Sequence, residues 1–297
     1  MNPINSHGPR ICVVDNFNRK EIDIDGDNKP CVSHGHAVIA VIKGILPNAQ
    51  IQKMESGQGL DEPTPGVIEQ LREIQELLDQ GETIDAINLS SSGAYVTVEK
   101  LQKDLGLSKL TKDNIPENRE QILANLKDFY NRRNALEASL ALETDSNKKL
   151  DLQYHIHYGY AYELNMLMRS IANRTTVFIA AGNNGRFEKA DGQTYVNLWA
   201  LVDGVHCVGA LDKTGKVADY SANSSQVTDW AKGIFFPKKV FSQDGKIQGF
   251  DIVENGEVSV LPSDVSGGEQ VIDNPSFDGT SYATPLFLAQ FLANKNK

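Results

Sequence analysis

Short apolar runs alternate with helical patterns along this chain, and three of those runs stop on a polar side chain. Ile11-Cys12-Val13-Val14 stops at Asp15, Ala86-Ile87-Asn88-Leu89 runs into Ser90, and Val177-Phe178-Ile179-Ala180-Ala181-Gly182 runs into Asn183. Near-continuous apolar strands belong to a sheet that is covered on both faces, which in practice is a parallel sheet with outer helices. Between the first two runs, Thr64-Pro65-Gly66 starts a helix with Val67, Ile68, Leu71, Ile74, Leu77 and Leu78 on one face. Gly81 closes that helix as a C′ residue and a strand follows over 84–89. The pattern predicts an α/β fold with a mainly parallel central sheet between two helical layers. Functional groups in such sheets gather past the carboxyl ends of the strands, where Asp15 and Asn183 stand.

The run Phe277-Asp-Gly-Thr-Ser-Tyr-Ala-Thr-Pro-Leu286 offers a nucleophile. A Gly-Thr-Ser turn leading into Ala-Thr-Pro presents the Ser281 hydroxyl at a helix start. There, backbone N–H groups and the helix dipole favour negative charge on a reacting oxygen. A serine alone is weakly nucleophilic, so this reading requires a base and a group that orients it. His34, in Ser33-His34-Gly35-His36, and Asp15 are candidates for those two parts, and Asn183 is a candidate donor to an oxyanion. Each residue also has a plain reading. Asp after a strand is commonly a turn or cap residue, Asn-Asn-Gly an ordinary turn, and Gly-Thr-Ser a helix N-cap.

Taken together, in the order Asp15, His34, Asn183, Ser281, the set resembles the subtilisin-like serine proteases. Further segments carry the resemblance. Gly44-Ile-Leu-Pro-Asn-Ala49 resembles the family's Gly-Val-Ala-Pro-x-Ala. Ala86-Ile-Asn-Leu-Ser-Ser-Ser-Gly93 resembles its strand and substrate-binding segment. Val208-Gly-Ala-Leu-Asp212 with Tyr220-Ser221 is similar to the stretch between oxyanion residue and nucleophile. The resemblance implies a three-layer subtilisin-like fold and a serine endopeptidase: Ser281 attacks, His34 relays the proton, Asp15 orients His34, and Asn183 donates to the oxyanion. It also implies an extended peptide lying against Ser90, Ser91, Ser92 and Gly93, with Ala180, Ala181 and Gly182 helping to line the primary specificity pocket. A peptide or protein substrate is expected, with no cofactor and no metal. Two other readings remain open: a transpeptidase or macrocyclase on the same fold, and a catalytically silent peptide-binding module.

Some positions depart from the family pattern. Asp15 and His34 are only 19 residues apart, so the loop between them is short. Its Asp23-Ile-Asp-Gly-Asp-Asn28 run invites a calcium reading but lacks the order of donors that a calcium loop needs, and a polar turn is the expectation. Ala37 and Ala40 stand where the family often has His and Gly, and Ser92 stands at a frequent glycine of the pocket rim. Tyr282 follows the nucleophile where many relatives carry an oxidisable Met, so resistance to peroxide is expected. Only 16 residues follow Ser281, where the resemblance implies a longer chain, so either a minimal member of the family or an absent part is expected.

Residues 1–297 are expected to form a single peptidase domain with two enlarged stretches. Over about 97–165, Ile122, Leu126, Phe129, Leu136 and Leu140 recur at helical spacing. Glu143–Lys149 is a polar break, and Leu152–Ile171 is a second helical pattern. This predicts an inserted helical hairpin beside the substrate segment, read as decoration, as a lid or partner-docking element, or as an oligomer contact. His155 and His157 do not share a helix face, which argues against a metal pair. Over about 234–275, Asp244-Gly245 and Asn255-Gly256 signal β-hairpins near the active-site rim.

The net charge of −10 argues against nucleic-acid or anionic-membrane partners. Of the three cysteines, Cys12 and Cys207 sit in apolar runs and are expected to be buried; Cys31 lies close to His34 and is read as a packed thiol. No signal region or membrane-length apolar run is apparent, so a cytoplasmic or non-classically exported protein is expected.

Overall fold

The structure is a computed structural model that describes residues 8–22, 32–57, 64–91, 95–241, 247–254 and 277–295. Its first part comprises β1 (Arg10–Asp15), β2 (Lys20–Ile22), β3 (Val32–Ser33), α1 (His34–Ile45), β4 (Gln50–Glu55), α2 (Thr64–Asp79) and β5 (Ala86–Leu89). Next come β6 (Tyr95–Thr97), α3 (Val98–Leu105), α4 (Ile115–Leu142), α5 (Ser146–Ala172), β7 (Thr176–Ala180) and α6 (Gly185–Asp191). The chain continues through β8 (Tyr195–Asn197), β9 (Val205–Leu211), β10 (Asp229–Lys232), β11 (Ile234–Phe241), β12 (Ile247–Glu254), β13 (Phe277–Asp278) and α7 (Thr280–Lys295).

Six strands form one sheet in the order β10-β9-β7-β5-β1-β4, and every neighbouring pair is parallel. The α/β class expected from the strand pattern is the one observed. Side-chain alternation along each strand divides the core into two layers. Ile11, Val13, Ala86 and Phe178 face α1 and α7, with Val38, Ile42, Ala283 and Leu288 packed on them. Cys12, Val14, Ile87, Leu89, Val177 and Ile179 face the other layer, which α2, α4 and α5 cover through Leu71, Ile74, Leu126, Leu164 and Met168.

The helix over Thr64–Asp79 ends as its sequence indicates. Gly81 adopts φ +88°, and the N–H groups of Gly81 and Glu82 bond back to Leu78 O and Leu77 O at 3.0 Å each. The polar break ahead of the second long helix is shorter than its composition suggests. Asp145 caps α5 by accepting from Asn147 N and Lys148 N at 2.9 and 3.0 Å, so Ser146–Lys149 already belongs to the helix. That first turn is exposed and carries no apolar face for periodicity to reveal. A separate short helix, α3, is capped by Thr97 Oγ1 accepting from Lys100 N at 3.2 Å and is closed by Gly106 at φ +69°.

Glu163 of α5 ties the hairpin to the body: it accepts from Arg133 of α4 at 2.6 Å and pairs with Arg72 of α2. The far ends of α4 and α5, at Leu142 and Leu150, are exposed. β11 pairs antiparallel with both β12 and β13, and β13 leads directly into Gly279 and α7. The Asp244-Gly245 and Asn255-Gly256 turns lie outside the described residues. Among the described residues, no helix is long and apolar enough to cross a membrane.

Candidate active site

Adjacent strands β7, β5 and β1 deliver Asn183, Ser90 and Asp15 to one edge of the sheet, past their carboxyl ends. Asp15 is the last residue of β1 and is 1% exposed. Its Oδ1 accepts from Asn16 N at 2.7 Å, and its carbonyl accepts from Ser56 N at 2.9 Å. α1 begins at His34, capped by the Ser33 hydroxyl, which accepts from His36 N at 3.4 Å. Gly35 lets that helix start approach β1. Its N–H bonds to Asn16 O at 3.0 Å, and a Cβ there would come within 2.5–2.9 Å of the Phe17 ring.

Those constraints bring His34 Nδ1 to 2.8 Å from Asp15 Oδ1 and 3.0 Å from Oδ2, while Nε2 lies 3.0 Å from Ser281 Oγ. A carboxylate can only accept, so Nδ1 carries the proton and Nε2 accepts from the serine hydroxyl. The tautomer follows from the partners. The Tyr282 ring packs against the imidazole with centroids 5.1 Å apart.

Ser281 stands in the first turn of α7, where the helix ladder leaves N–H groups unused. Thr280 N donates to Asn183 Oδ1 at 2.9 Å, and the Thr280 hydroxyl lies 3.1 Å from the same oxygen and accepts from Gly182 N at 3.0 Å. With its oxygen held there, the Asn183 amide turns Nδ2 the other way. A Cβ built on Gly279 would lie 3.0 Å from Ser281 Oγ, 3.3 Å from Asn183 Nδ2 and 3.7 Å from Ser281 N. Three groups therefore converge on a point that only glycine leaves open: a hydroxyl, a side-chain amide donor and a backbone donor. Such a point can hold the oxygen of a carbonyl under attack.

The other sequence candidates are distributed less evenly. Ser90 is 2% exposed and its hydroxyl accepts from Asn88 Nδ2 at 2.7 Å; Ser91 is half-buried beside it. Ser92 and Gly93 lie outside the described residues. The Ala180 and Ala181 side chains are buried in the core, and their carbonyls accept from Asn197 Nδ2 at 3.0 and 3.3 Å. Ala181 N donates to Val208 O at 3.0 Å, so this short segment is bound up within the fold. Gly182, at φ +111°, is the member of the set with a bare face, and the phenol of Tyr95 lies against it.

Thr280, Asn197 and Tyr95 are the participants that the sequence reading left out. Thr280 sat inside the Gly-Thr-Ser motif. Asn197 and Tyr95 carry no local signal, because they meet the site only through pairing of β6 with β8, where Tyr95 stands opposite Asn197.

Burial pushes the thiol of Cys12 up to about 11 and that of Cys207 up to about 12, so both stay protonated and inert at neutral pH. Cys31 lies outside the described residues. Desolvation, with the Lys53 ammonium beside it, holds His36 below its ordinary value. Lys53 Nζ is 2.9 Å from His36 Nε2, a contact that suits the neutral ring. Among the described residues no cluster of metal ligands is found, and the Asp23–Asn28 run lies outside them.

No family model matches the sequence, and no curated protein matches it. Solved structures similar to it include a lanthipeptide protease, at 13% identity and TM-score 0.48 over 96% of this chain and 72% of that one. The self-cleaved protease domain of PatA is similar at 16% identity and TM-score 0.45, over 96% of this chain and 78% of that one. The MycP3 protease from the type VII (ESX-3) secretion system is similar at 16% identity and TM-score 0.47, over 98% of this chain and 72% of that one.

Proposed function

We propose that this chain is a subtilisin-like serine endopeptidase. The observation that supports it best is the relay from buried Asp15 through His34 to Ser281 Oγ, which faces two N–H donors across the space kept open by Gly279. In this reading, Ser281 Oγ attacks the scissile carbonyl while His34 Nε2 takes its proton. The carbonyl oxygen becomes an oxyanion between Asn183 Nδ2 and Ser281 N. Collapse breaks the C–N bond as His34 hands its proton to the leaving amine. Water, deprotonated by the same imidazole, then releases the acyl group and restores Ser281. Asp15 stays ionised throughout and stabilises the imidazolium. The two donors are fixed before reaction, so little reorganisation is needed as charge develops.

The test is intact-mass spectrometry after incubation with a fluorophosphonate, alongside Ser281→Ala, followed by product analysis on a peptide library. One adduct on the wild-type chain, none on the variant, and hydrolysed peptides are expected. A folded protein that takes no adduct would sink the reading. Products joined to an added amine rather than to water would replace hydrolysis by transpeptidation.

A further inference from the structure

Gly182 immediately precedes Asn183, and the position of a Cβ on it is already occupied by the hydroxyl and ring of Tyr95. The phenol therefore presses on the bare Cα of the residue next to the proposed oxyanion donor. Tyr95 is held there from two sides. Its strand β6 pairs antiparallel with β8, with Tyr95 opposite Asn197 and Thr97 opposite Tyr195. Asn197 in turn donates to the carbonyls of Ala180 and Ala181, the two residues before Gly182. Strand β8 is anchored from below: Asn197 N donates to Gln226 Oε1 at 3.0 Å, and Gln226 Nε2 donates to Asn197 O at 2.8 Å. The ring and the wall it leans on thus belong to one hydrogen-bonded unit.

A carbonyl oxygen placed between Asn183 Nδ2 and Ser281 N fixes where its own residue must lie. In the subtilisin-like reading proposed above, the 180–183 segment helps to line the primary specificity pocket, so that residue's side chain leaves the site alongside Asn183 and Gly182. An alanine at 182 would itself collide with Tyr95, so a long side chain brought to that face would collide as well.

From this geometry we infer that Tyr95 fills the space beside Gly182 and makes the enzyme selective for peptides with glycine, alanine or serine on the acyl side of the cleaved bond. The inference rests on the peptidase reading and names the substrate class of that same site. A pocket blocked by a ring discriminates by overlap, which is harsher than the 10–200-fold that one methylene makes in an open apolar pocket.

The test uses two peptidyl diphenyl phosphonates that differ only in carrying alanine or phenylalanine at the reacting residue, with labelling rates at Ser281 read by intact mass. The wild-type chain is expected to react at least about tenfold faster with the alanine probe. Tyr95→Ala should gain at least about tenfold toward the phenylalanine probe, while Tyr95→Phe keeps the ring and the wild-type preference. A wild-type chain that reacts equally well with the phenylalanine probe would overturn the inference, whatever the variants do. A small fluorophosphonate separates the two failures. Labelling by it together with a phenylalanine preference removes only the assignment of Tyr95, whereas no labelling by any phosphonate removes the peptidase reading and this inference with it.

Discussion

Thr280 donates its backbone N–H to Asn183 Oδ1 at 2.9 Å, and that bond decides which end of the Asn183 amide faces Ser281. With the oxygen fixed by a donor, the NH₂ end is turned toward the space beside Ser281. Removing the amide should lower kcat without a comparable rise in KM, since in the proposed mechanism the interaction belongs to the transition state. Asn183→Ala is expected to lose about 10²–10³ in kcat, the range for one preorganised oxyanion donor. Thr280→Val, which leaves the backbone N–H and removes the hydroxyl, should lose less, and Thr280→Ser should restore it. Steady-state kinetics on one peptide substrate checks the series. An Asn183→Ala enzyme with unchanged kcat would remove Asn183 from the chemistry.

Gly279 gives a sharper test of the same space. A Cβ there would stand 3.0 Å from Ser281 Oγ and 3.3 Å from Asn183 Nδ2, tight against both without invading the core. Gly279→Ala should therefore fold with near wild-type stability yet hydrolyse peptides at least about tenfold more slowly, as expected when reacting groups are displaced by a fraction of an ångström. Thermal unfolding and kinetics on the same preparation separate the two effects. A loss of stability with kinetics intact in the folded fraction would contradict the assignment.

Tyr282 lies buried with its ring 5.1 Å from that of His34, in contact with the proposed base. Oxidation of a methionine at this position would put a polar sulfoxide against the imidazole, whereas tyrosine is inert to dilute peroxide. The wild-type chain should keep its activity over an hour in dilute peroxide, and Tyr282→Met should lose most of it. Activity assays paired with peptide mapping for a 16 Da addition at residue 282, the mass of one oxygen, decide the matter. Equal loss in both proteins would place the sensitive group elsewhere.

The strands ending at Asp15 and Ala180 were legible because both faces of each are apolar, so neither registers as an amphipathic helix. The run into α7 was legible because Gly-Thr-Ser and Ala-Thr-Pro are local chemistry. What escaped depends on residues far apart in the chain. Tyr95 reaches Gly182 because β6 pairs with β8, a contact between segments about a hundred residues apart that no periodicity encodes. Asn197 acts through backbone carbonyls, which have no residue type to recognise. The start of α5 was missed for another reason: Ser146–Lys149 is exposed on every side, so only the Asp145 cap marks it.

Glu163 is 9% exposed and joins three helices, accepting from Arg133 at 2.6 Å on one oxygen and pairing with Arg72 on the other. Arg133 also lies over the Tyr160 ring at 4.5 Å. Removing the carboxylate charge leaves two guanidinium groups short of a partner, while the exposed half of Arg72 limits the damage. Glu163→Gln should cost about 1.5–3 kcal/mol, the range for charged hydrogen bonds, with the m-value unchanged in urea unfolding. Labelling of Ser281 in the folded protein should proceed at the wild-type rate, because Glu163 lies in the helical layer on the sheet face opposite α7. A slowed labelling rate would mean that the hairpin reports to the candidate site around Ser281.

His155 should make the same hairpin sensitive to acid. Its ring packs on Phe129 at 4.8 Å, and desolvation there holds its pKa below the ordinary value of 6.5. Asp104, 4.0 Å away on α3, and Asp151 on the same helix oppose that shift, whereas Lys100 and Arg132 reinforce it. The folded chain therefore binds this proton less readily than the unfolded chain does, so stability falls as pH drops. The contribution is fully present above about 6.5 and is lost as pH falls from there through the folded value. Replacing the ring by an uncharged side chain removes that term. His155→Gln should show a shallower fall in Tm between pH 7.5 and 5 than the wild-type chain, in unfolding scans followed by circular dichroism. His36 is shifted in the same direction and is retained in both proteins, so it cancels in the difference. Parallel Tm curves for the two proteins would show that the ring is as readily protonated in the fold as in water.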